Sequence, residues 1–265
     1  MKQRVISAVI CIAITLAMIL LSTWTRIIFF ILLSILACRE MKDALAKLEY
    51  HVVGWPLYAV SIGCSAFIAI EKSGYAFPAF LLIMLLLFTQ LILLKNISVK
   101  DVLATFAVCA YPLSPLMIIT FIAKSDLLWA AVLLNAIMPT VVADTFALFG
   151  GKRYGKHKLC PDISPKKTVE GLICGVAMGT VSGFAVYGIL KLVGRSVIPL
   201  WAVLIASLLA CLTGALGDLA ASTIKREAGI KDYSNLIPGH GGILDRIDSS
   251  LFSLPAVYLL YALFV

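Results

Sequence analysis

Charged residues are scarce in this sequence, and their scarcity excludes a water-soluble domain. Only 14% of the 265 residues are charged, whereas 62% are hydrophobic and the mean hydropathy is +1.03. A typical soluble domain carries about 25% charged residues. Apolar runs on the order of 20 residues, the length that crosses a bilayer, recur along the whole chain. The sequence therefore predicts an all-α, polytopic integral membrane protein.

Nine apolar runs predict about nine transmembrane helices. They occupy residues 5–23, 26–38, 51–70, 76–94, 101–123, 126–149, 169–194, 198–223 and 249–265. Residues 1–125 hold few polar groups within the spans and are predicted to form a transmembrane scaffold, in which Pro112 and Pro115 kink the fifth span. Residues 126–265 hold the polar motifs and are predicted to form the catalytic region.

Two kinds of pattern are missing, and each absence excludes a class of site or segment. No small-x-small cleavage site follows the first apolar run, so that run is predicted to be a retained anchor and not a signal peptide. The seven cysteines show neither a CxxC motif nor a Cys/His metal-binding spacing. They are therefore predicted to be small buried apolar residues.

Negative charge is the scarcer sign, and the net charge is +8. A nucleic-acid partner is not predicted, because the basic residues divide by membrane side. With nine spans, the N-terminus and the even-numbered connections hold all 22 basic residues except five, namely Arg26, Lys72, Lys124, Lys191 and Arg195. The positive-inside rule makes the basic side cytoplasmic. We therefore expect a protein of the cytoplasmic (inner) membrane, with the loops 150–168 and 224–246 in the cytoplasm and the C-terminus outside.

The segment Arg39–Glu49 mixes charges of both signs in a helical pattern. Arg39 and Asp43, and likewise Asp43 and Lys47, lie four residues apart and can pair on one helix face. The pattern predicts an amphipathic helix at the cytoplasmic interface. A solvated, salt-bridged face is favoured over a binding role.

Asp144 lies near the cytoplasmic end of the sixth span with apolar residues on both sides. A carboxylate inside a membrane span is energetically unfavourable and normally faces the protein interior with a partner. A functional role is favoured over a buried salt bridge with a lysine of a loop.

The loop after this span is basic. Ser164 followed by Pro165 is typical of an N-cap and a first helical position, so the seventh helix is predicted to start there. Lys166 and Lys167 would then lie in its first turn, where free backbone N–H groups favour a bound anion. The alternative is a loop that touches anionic lipid head groups.

Four glycines at intervals of four residues form one face of the seventh span: Gly171, Gly175, Gly179 and Gly183. Such a face permits close approach of another helix backbone. The sequence leaves two alternatives open, packing within the chain and a homodimer contact.

The eighth span ends with Asp218, Ser222 and Lys225 on a single helix face. Asp245 and Asp248 stand three residues apart where the ninth span begins. Three carboxylates within reach of one another suit a hard divalent ion with oxygen ligands. The alternative is a set of interfacial salt bridges from these aspartates to Lys225, Arg226 and Arg246.

Between Ser222 and Asp248 the chain becomes rich in charge and glycine. Cations there suit phosphates, and the glycines around His240, among them Gly241, suit a turn that exposes backbone N–H groups to an anion. The full pattern is S-x-x-K-R-x4-K-D-x6-G-H-G-G-x-x-D-R-x-D. It resembles the signature of the phosphatidate cytidylyltransferases (CDP-diacylglycerol synthases), as does S-P-K-K-T-x-E-G from Ser164 to Gly171.

The resemblance implies that the phosphate of phosphatidic acid attacks the α-phosphorus of CTP, giving CDP-diacylglycerol and pyrophosphate. It implies one or more Mg2+ or Mn2+ ions and membrane lipids as surroundings. The implied metal ligands are Asp218, Asp245 and Asp248, with Asp144 as a further ligand or charge partner. The implied phosphate-binding residues are Ser222, Lys225, Arg226, Lys231, His240, Gly241 and Arg246, with Lys166 and Lys167 closing over from the neighbouring loop. Asp232 either orders these cations or acts as a base.

Three other functions are compatible with parts of the pattern. A multi-span transporter of an anionic solute would also carry carboxylates in its spans, but no internal repeat is visible. A CDP-alcohol phosphotransferase would carry D-G-x2-A-R, which is absent. A cytidylyltransferase for an ether-lipid analogue of phosphatidic acid remains open.

Overall fold

The computed structural model describes residues 22–94, 97–123, 125, 128–192, 194, 198–237, 239 and 241–264. These residues fall into two compact units. The first contains the described residues up to 123 together with Glu227–Arg246. The second contains Ser125–Arg226 and the chain from Ile247 onwards. The segment 227–246, which carries part of the charged motif, thus belongs to the same unit as the N-terminal helices.

Four helices form most of the first unit. They are α1 (Thr23–Ala46), α2 (Gly54–Ala69), α3 (Ser73–Leu93) and α4 (Val99–Ile122). Ser22 caps α1 and Ser98 caps α4, each in a capping box with the residue three positions later. Helix α1 packs against the second half of α4, and Ile27, Ala69 and Ala123 form a buried cluster between elements of this unit.

Helix α4 is interrupted where the sequence predicts a kink. Residues Cys109–Leu113 form a wide π turn, and Tyr111 has extended backbone angles (φ −148°, ψ 114°). The break occurs at Pro112, which has no N–H to donate. Pro115 lies at the start of the following helical segment, where proline is tolerated. The predicted interruption is confirmed, and Pro112 marks its position.

The second unit contains four long helices and a β-hairpin. The helices are α5 (Leu128–Tyr154), α6 (Val169–Leu192), α7 (Leu200–Glu227) and α8 (Leu244–Phe264). The last residue of α7 and the first three residues of α8 belong to the first unit, and the rest of both helices belongs to the second. Strands β1 (Lys158–Cys160) and β2 (Ser164–Thr168) pair antiparallel between α5 and α6. The all-α prediction therefore holds for the membrane helices, and the hairpin is an addition.

The predicted helix start at Ser164–Pro165 is wrong, whereas the predicted start of the seventh span at residue 169 agrees with the structure. Ser164 and Pro165 open strand β2, and helix α6 begins at Val169. The cap is Thr168, whose Oγ1 accepts a hydrogen bond of 3.2 Å from the N–H of Gly171. Ser164 pairs with Cys160 and Thr168 pairs with Lys158 in the hairpin. A local capping pattern does not include these contacts, so it predicts a helix where a strand forms.

The glycine face of α6 is used for packing within the unit. A Cβ on Gly171, Gly175 or Gly179 would lie 2.6 to 2.7 Å from a backbone carbonyl oxygen of α5, and one on Gly183 would meet Ser207 of α7. All four glycines are buried. Since α5 and α7 already occupy this face, it leaves no room for a second chain. Of the two alternatives, packing within the chain is the one found, and a homodimer would have to use another span.

Buried polar side chains join three helices of the second unit. Asn135 of α5 donates from its amide to the hydroxyl of Tyr261 on α8, and Ser207 of α7 donates to Asn135 Oδ1 over 2.9 Å. All three residues are fully buried. Within a membrane protein such hydrogen bonds between helices satisfy groups that lipid cannot.

Six of the described helices are long and apolar enough to span a membrane: α3, α4, α5, α6, α7 and α8. They correspond to the fourth to ninth predicted spans. Helix α2 is a shorter apolar helix. Helix α1 merges the second predicted span with the predicted interfacial segment into one continuous helix, and the first predicted span lies almost wholly outside the described residues.

Candidate active site

Three carboxylates of the second unit form an electrostatically interacting group. Asp144 comes from α5, Asp218 from α7 and Asp248 from α8, and each interacts with the other two. The hydroxyl of Ser249 is a hydrogen-bond partner of Asp144. Three helices therefore converge with one acidic side chain each. The sequence pattern groups Asp218 and Asp248 with Asp245, and only the family resemblance adds Asp144.

A glycine allows α8 to lie close to α7 at this point. A Cβ on Gly217 would stand 2.6 Å from the backbone oxygen of Asp248, and only a residue without a side chain permits that distance. One turn earlier, a Cβ on Gly214 would stand 2.6 Å from the side chain of Thr140 on α5. The two glycines therefore set the close packing of the three helices that carry the carboxylates.

Two lysines neutralise this group from different elements. The Nζ of Lys167, on β2, lies 2.5 Å from Oδ2 of Asp218. The Nζ of Lys225, on α7, lies 4.0 Å from Oδ2 of Asp248, and Lys225 is only 9% exposed. Ser222 donates weakly to Asp218 Oδ1 over 3.4 Å. Buried charges require partners, and Lys225 and Asp248 supply one for each other, as the alternative of interfacial salt bridges also predicts.

The hairpin presents its two consecutive lysines differently. Lys167 is half-buried at the ion pair, whereas Lys166 is exposed, as alternation along a strand requires. Glu170 anchors the base of the hairpin: it accepts the backbone N–H groups of Lys156 and His157, and its carboxylate lies 2.6 Å from His157 Nδ1. His157, for which the sequence indicates no role, is thus part of this anchor.

Asp245 lies in the first unit and holds its own loop. Its Oδ2 accepts the N–H of Tyr233 over 2.8 Å and that of Gly242 over 3.0 Å. Gly241 has a φ of +83°, and a Cβ there would lie 2.9 Å from Asp245 Oδ2 and 3.3 Å from the side chain of Asp232. Asp245 therefore organises the glycine turn of segment 227–246.

Glu40 of α1 contacts segment 227–246, and no role for it was predicted from the sequence. Arg39, Asp43 and Lys47 form the expected exposed face, but Glu40 is 5% exposed and accepts hydrogen bonds from the loop. The expected solvated face is therefore present, but Glu40 is not part of it. A signal was present, since Glu40 falls on the apolar stripe defined by Ala37 and Ala44.

The remaining predicted site residues are distributed as follows. Arg226 is exposed at the end of α7, and Lys231, Asp232 and Arg246 are exposed on segment 227–246. His240 lies outside the described residues.

The carboxylates can be tested against the predicted divalent ion. Among the described residues, no three His, Cys, Asp or Glu side chains form a ready group of metal ligands. The donor chemistry fits, however, because Asp144, Asp218 and Asp248 offer only oxygen atoms and repel one another electrostatically. A hard cation would relieve that repulsion.

The chain matches known proteins over its whole length. The model of the cytidylyltransferase family matches residues 2–264. A phosphatidate cytidylyltransferase of Staphylococcus haemolyticus is 31% identical over 268 aligned residues, which cover 98% of both chains. Proteins of the same name from Bacillus subtilis and Staphylococcus aureus (strain COL) are 47% and 43% identical over 121 and 128 residues. Those two alignments span less than half of each relative, 44% and 48%.

Proposed function

Since the chain belongs to the cytidylyltransferase family, we propose that it is an integral-membrane enzyme that transfers the cytidylyl group of CTP to phosphatidic acid. The products are CDP-diacylglycerol and pyrophosphate. The observation that carries the proposal is the convergence of Asp144, Asp218 and Asp248 with Lys167 and Lys225 at one place in the second unit. The match to the family gives no support to a transporter.

The reaction needs positioning and charge neutralisation more than covalent chemistry. An oxygen of the lipid phosphate bonds to the α-phosphorus of CTP, and the bond from that phosphorus to the oxygen bridging to the β-phosphate breaks. Pyrophosphate leaves with the bond's electron pair. Cationic side chains stabilise the negative charge that spreads over the transferring group.

Each basic group has a distinct part in this scheme. Lys225 is buried beside Asp248 and would hold a phosphate group in fixed orientation. Arg226, Lys231, Arg246 and His240 would bind the triphosphate or the lipid phosphate through charge-assisted hydrogen bonds. Lys166, exposed on the hairpin, would reach the outer part of the bound nucleotide, and Lys167 would orient Asp218.

We further propose that the carboxylates bind one or more divalent ions, Mg2+ or Mn2+. Asp218 and Asp248 would be ligands and Asp144 a third ligand or charge partner. Asp245 is retained as a ligand on the strength of the sequence motif. When bound, such an ion supplies Lewis-acid stabilisation of the phosphoryl oxygens.

The proposed topology has nine spans, with the N-terminus in the cytoplasm and the C-terminus outside. Its support is the division of basic residues between the two sides. Asp144 and Asp218 lie toward the ends of their helices nearest the hairpin and segment 227–246. A cytoplasmic site would meet soluble CTP there and a lipid substrate in the adjacent leaflet.

The direct test is incorporation of labelled CTP into lipid by the purified protein with defined phosphatidic acids. Ester-linked and ether-linked phosphatidic acids are compared at equal concentration in the same detergent. Transfer to the ester-linked lipid supports the proposal. Transfer to neither lipid would contradict it. Transfer to the ether-linked lipid alone would show that the substrate is the ether-lipid analogue of phosphatidic acid.

A further inference from the structure

The carboxylate of Glu40 is buried and accepts three hydrogen bonds from one loop. Its Oε1 accepts the hydroxyl of Ser234 over 2.6 Å and the N–H of Ile243 over 2.9 Å. Its Oε2 accepts the N–H of Leu244 over 2.7 Å. These donors lie about 200 residues further along the chain, within segment 227–246.

Two of these donors belong to the beginning of α8, where backbone N–H groups lack partners within the helix. A negative charge at that end of a helix is also favoured by the helix dipole. Glu40 therefore acts as a cap supplied by a distant helix. Its burial, at 5% exposure, makes the three donors necessary, since a buried carboxylate without partners is strongly unfavourable.

Gly242 lies very close to the Glu40 carboxylate. A Cβ at position 242 would lie 2.6 Å from both Glu40 oxygens, closer than real Cβ contacts occur. By their sequence pattern, the glycines of this turn suit the approach of a phosphate. At Gly242 the space that a side chain would fill is already occupied by Glu40.

Glu40 and Asp245 each accept two backbone N–H groups of the loop. Asp245 accepts the N–H groups of Tyr233 and Gly242, and Glu40 accepts those of Ile243 and Leu244. Four backbone donors of one short segment are thus held by two carboxylates. The Glu40 contacts come from outside the segment and fix it to α1.

We propose that Glu40 is a positioning residue that holds the glycine turn 241–244 of the signature loop in the conformation that binds CTP. The inference rests on the proposed function for its kinetic part only. Through the turn, Glu40 sets the placement of Lys231 and Asp245, which follow the loop backbone. Helix α1 is by this argument part of the catalytic apparatus and not only scaffold.

The test compares Glu40→Ala with the matched control Asp43→Ala, which removes an exposed carboxylate one turn along the same helix. CTP and phosphatidic acid are titrated separately. For Glu40→Ala the KM for CTP should rise by about tenfold or more, because charge-assisted hydrogen bonds are lost, while the KM for phosphatidic acid changes little. Asp43→Ala should match the wild type in both constants.

A second measurement reports on the loop without any substrate. Asn235→Cys, at an exposed loop position, is labelled with a soluble thiol reagent in a cysteine-free background. Labelling should be faster when Glu40→Ala is added, and unchanged when Asp43→Ala is added. If labelling behaves so but no variant, nor the wild type, makes CDP-diacylglycerol, the proposed function fails and the role of Glu40 in holding the loop stands.

Gly242→Ala supplies a test that a merely stabilising role of Glu40 would not pass. In the wild-type background the added methyl meets the Glu40 carboxylate and should raise the KM for CTP about as much as Glu40→Ala does. In the Glu40→Ala background that contact is gone, so Gly242→Ala should add little further loss. Additive losses would overturn the proposal.

Two other outcomes would also overturn it. One is a Glu40→Ala variant with wild-type KM for CTP and wild-type labelling. The other concerns Ser234→Ala, which is used if Glu40→Ala does not yield folded protein. Ser234→Ala removes a single donor to Glu40 and should raise the KM for CTP by a smaller factor. A Ser234→Ala variant indistinguishable from wild type in KM and labelling would contradict the inference.

Discussion

The Nζ of Lys167 lies 2.5 Å from Oδ2 of Asp218, so a cation carried by the β-hairpin neutralises a carboxylate carried by α7. Both side chains are partly exposed, at 29% and 26%, and solvent and ligands can reach them. A metal ion bound at Asp218 would compete with this lysine for the same oxygen. The pair therefore links the position of the hairpin to the occupancy of the proposed metal site.

The first prediction concerns the carboxylates and the metal. Asp218→Asn and Asp248→Asn should each lower kcat by more than about a hundredfold, because loss of a metal ligand removes several kcal/mol of transition-state stabilisation. Excess chelator should abolish turnover, and added Mg2+ should restore it. Asp162→Asn, at an exposed turn of the hairpin, is the control and should keep wild-type activity. Full activity in chelator would contradict the metal assignment.

The second prediction separates the two consecutive hairpin lysines. Lys167→Ala should lower kcat/KM for CTP by about tenfold or more, since it leaves Asp218 without its charged partner. Lys166→Ala should have a smaller effect, because Lys166 is exposed on the other side of the strand. Steady-state kinetics of both variants decide the order. Equal losses would return both residues to the simple phosphate-binding role indicated by the sequence.

The third prediction is that Asp144 acts through its charge. It interacts electrostatically with Asp218 and Lys167 and accepts a hydrogen bond from Ser249. Asp144→Asn keeps the size of the side chain and removes the charge, so it should lose most activity while the protein remains folded in detergent. An Asn variant as active as the wild type would indicate a structural role.

The fourth prediction is that the cations at the end of α7 and on segment 227–246 set the affinity for CTP. Neutralising Lys225, Arg226 or Lys231 removes a charge-assisted phosphate contact, typically about 1.5–3 kcal/mol, or roughly ten- to a hundredfold in an equilibrium constant. A CTP titration at saturating phosphatidic acid measures it. Lys191→Ala is the control, because Lys191 lies at the other end of α6 beside Tyr187. If Lys191→Ala weakens CTP binding as much as Lys225→Ala, the loop is not the nucleotide site.

The fifth prediction is the membrane orientation. Single cysteines at Lys156, on the hairpin side, and at Gly74, in the first turn of α3, should be labelled from opposite sides of the membrane in a cysteine-free background. Both positions are exposed. Labelling of Lys156→Cys from outside intact cells would contradict the proposed topology.

Much of the membrane architecture and the family could be read from the sequence alone. Hydropathy is a property of contiguous residues, so the fourth to ninth predicted spans reappear as the six long apolar helices. The signature from Ser222 to Asp248 has many fixed positions, and the match to the cytidylyltransferase family confirms the resemblance it indicates. That Asp144 faces other charged residues was predictable because isolated charges in apolar spans require partners, but its grouping with Asp218 and Asp248 was only implied by the resemblance.

Local patterns were insufficient where contacts between distant residues decide the structure. Ser164 and Pro165 match a helix start, but pairing of β2 with β1 overrides that preference. Glu40 lies on the apolar stripe of α1, but the donors that satisfy its carboxylate are about 200 residues away in the sequence. Asp245 and Asp248 stand one turn apart but have different partners. One oxygen of Asp245 accepts hydrogen bonds from backbone N–H groups of the loop, whereas Asp248 interacts electrostatically with Asp218. The sequence by itself determined which segments are long and apolar enough to cross a membrane and which charged residues they carry. The tertiary structure decided which partner each carboxylate has, because a buried charge is stable only where folding brings its donors to it.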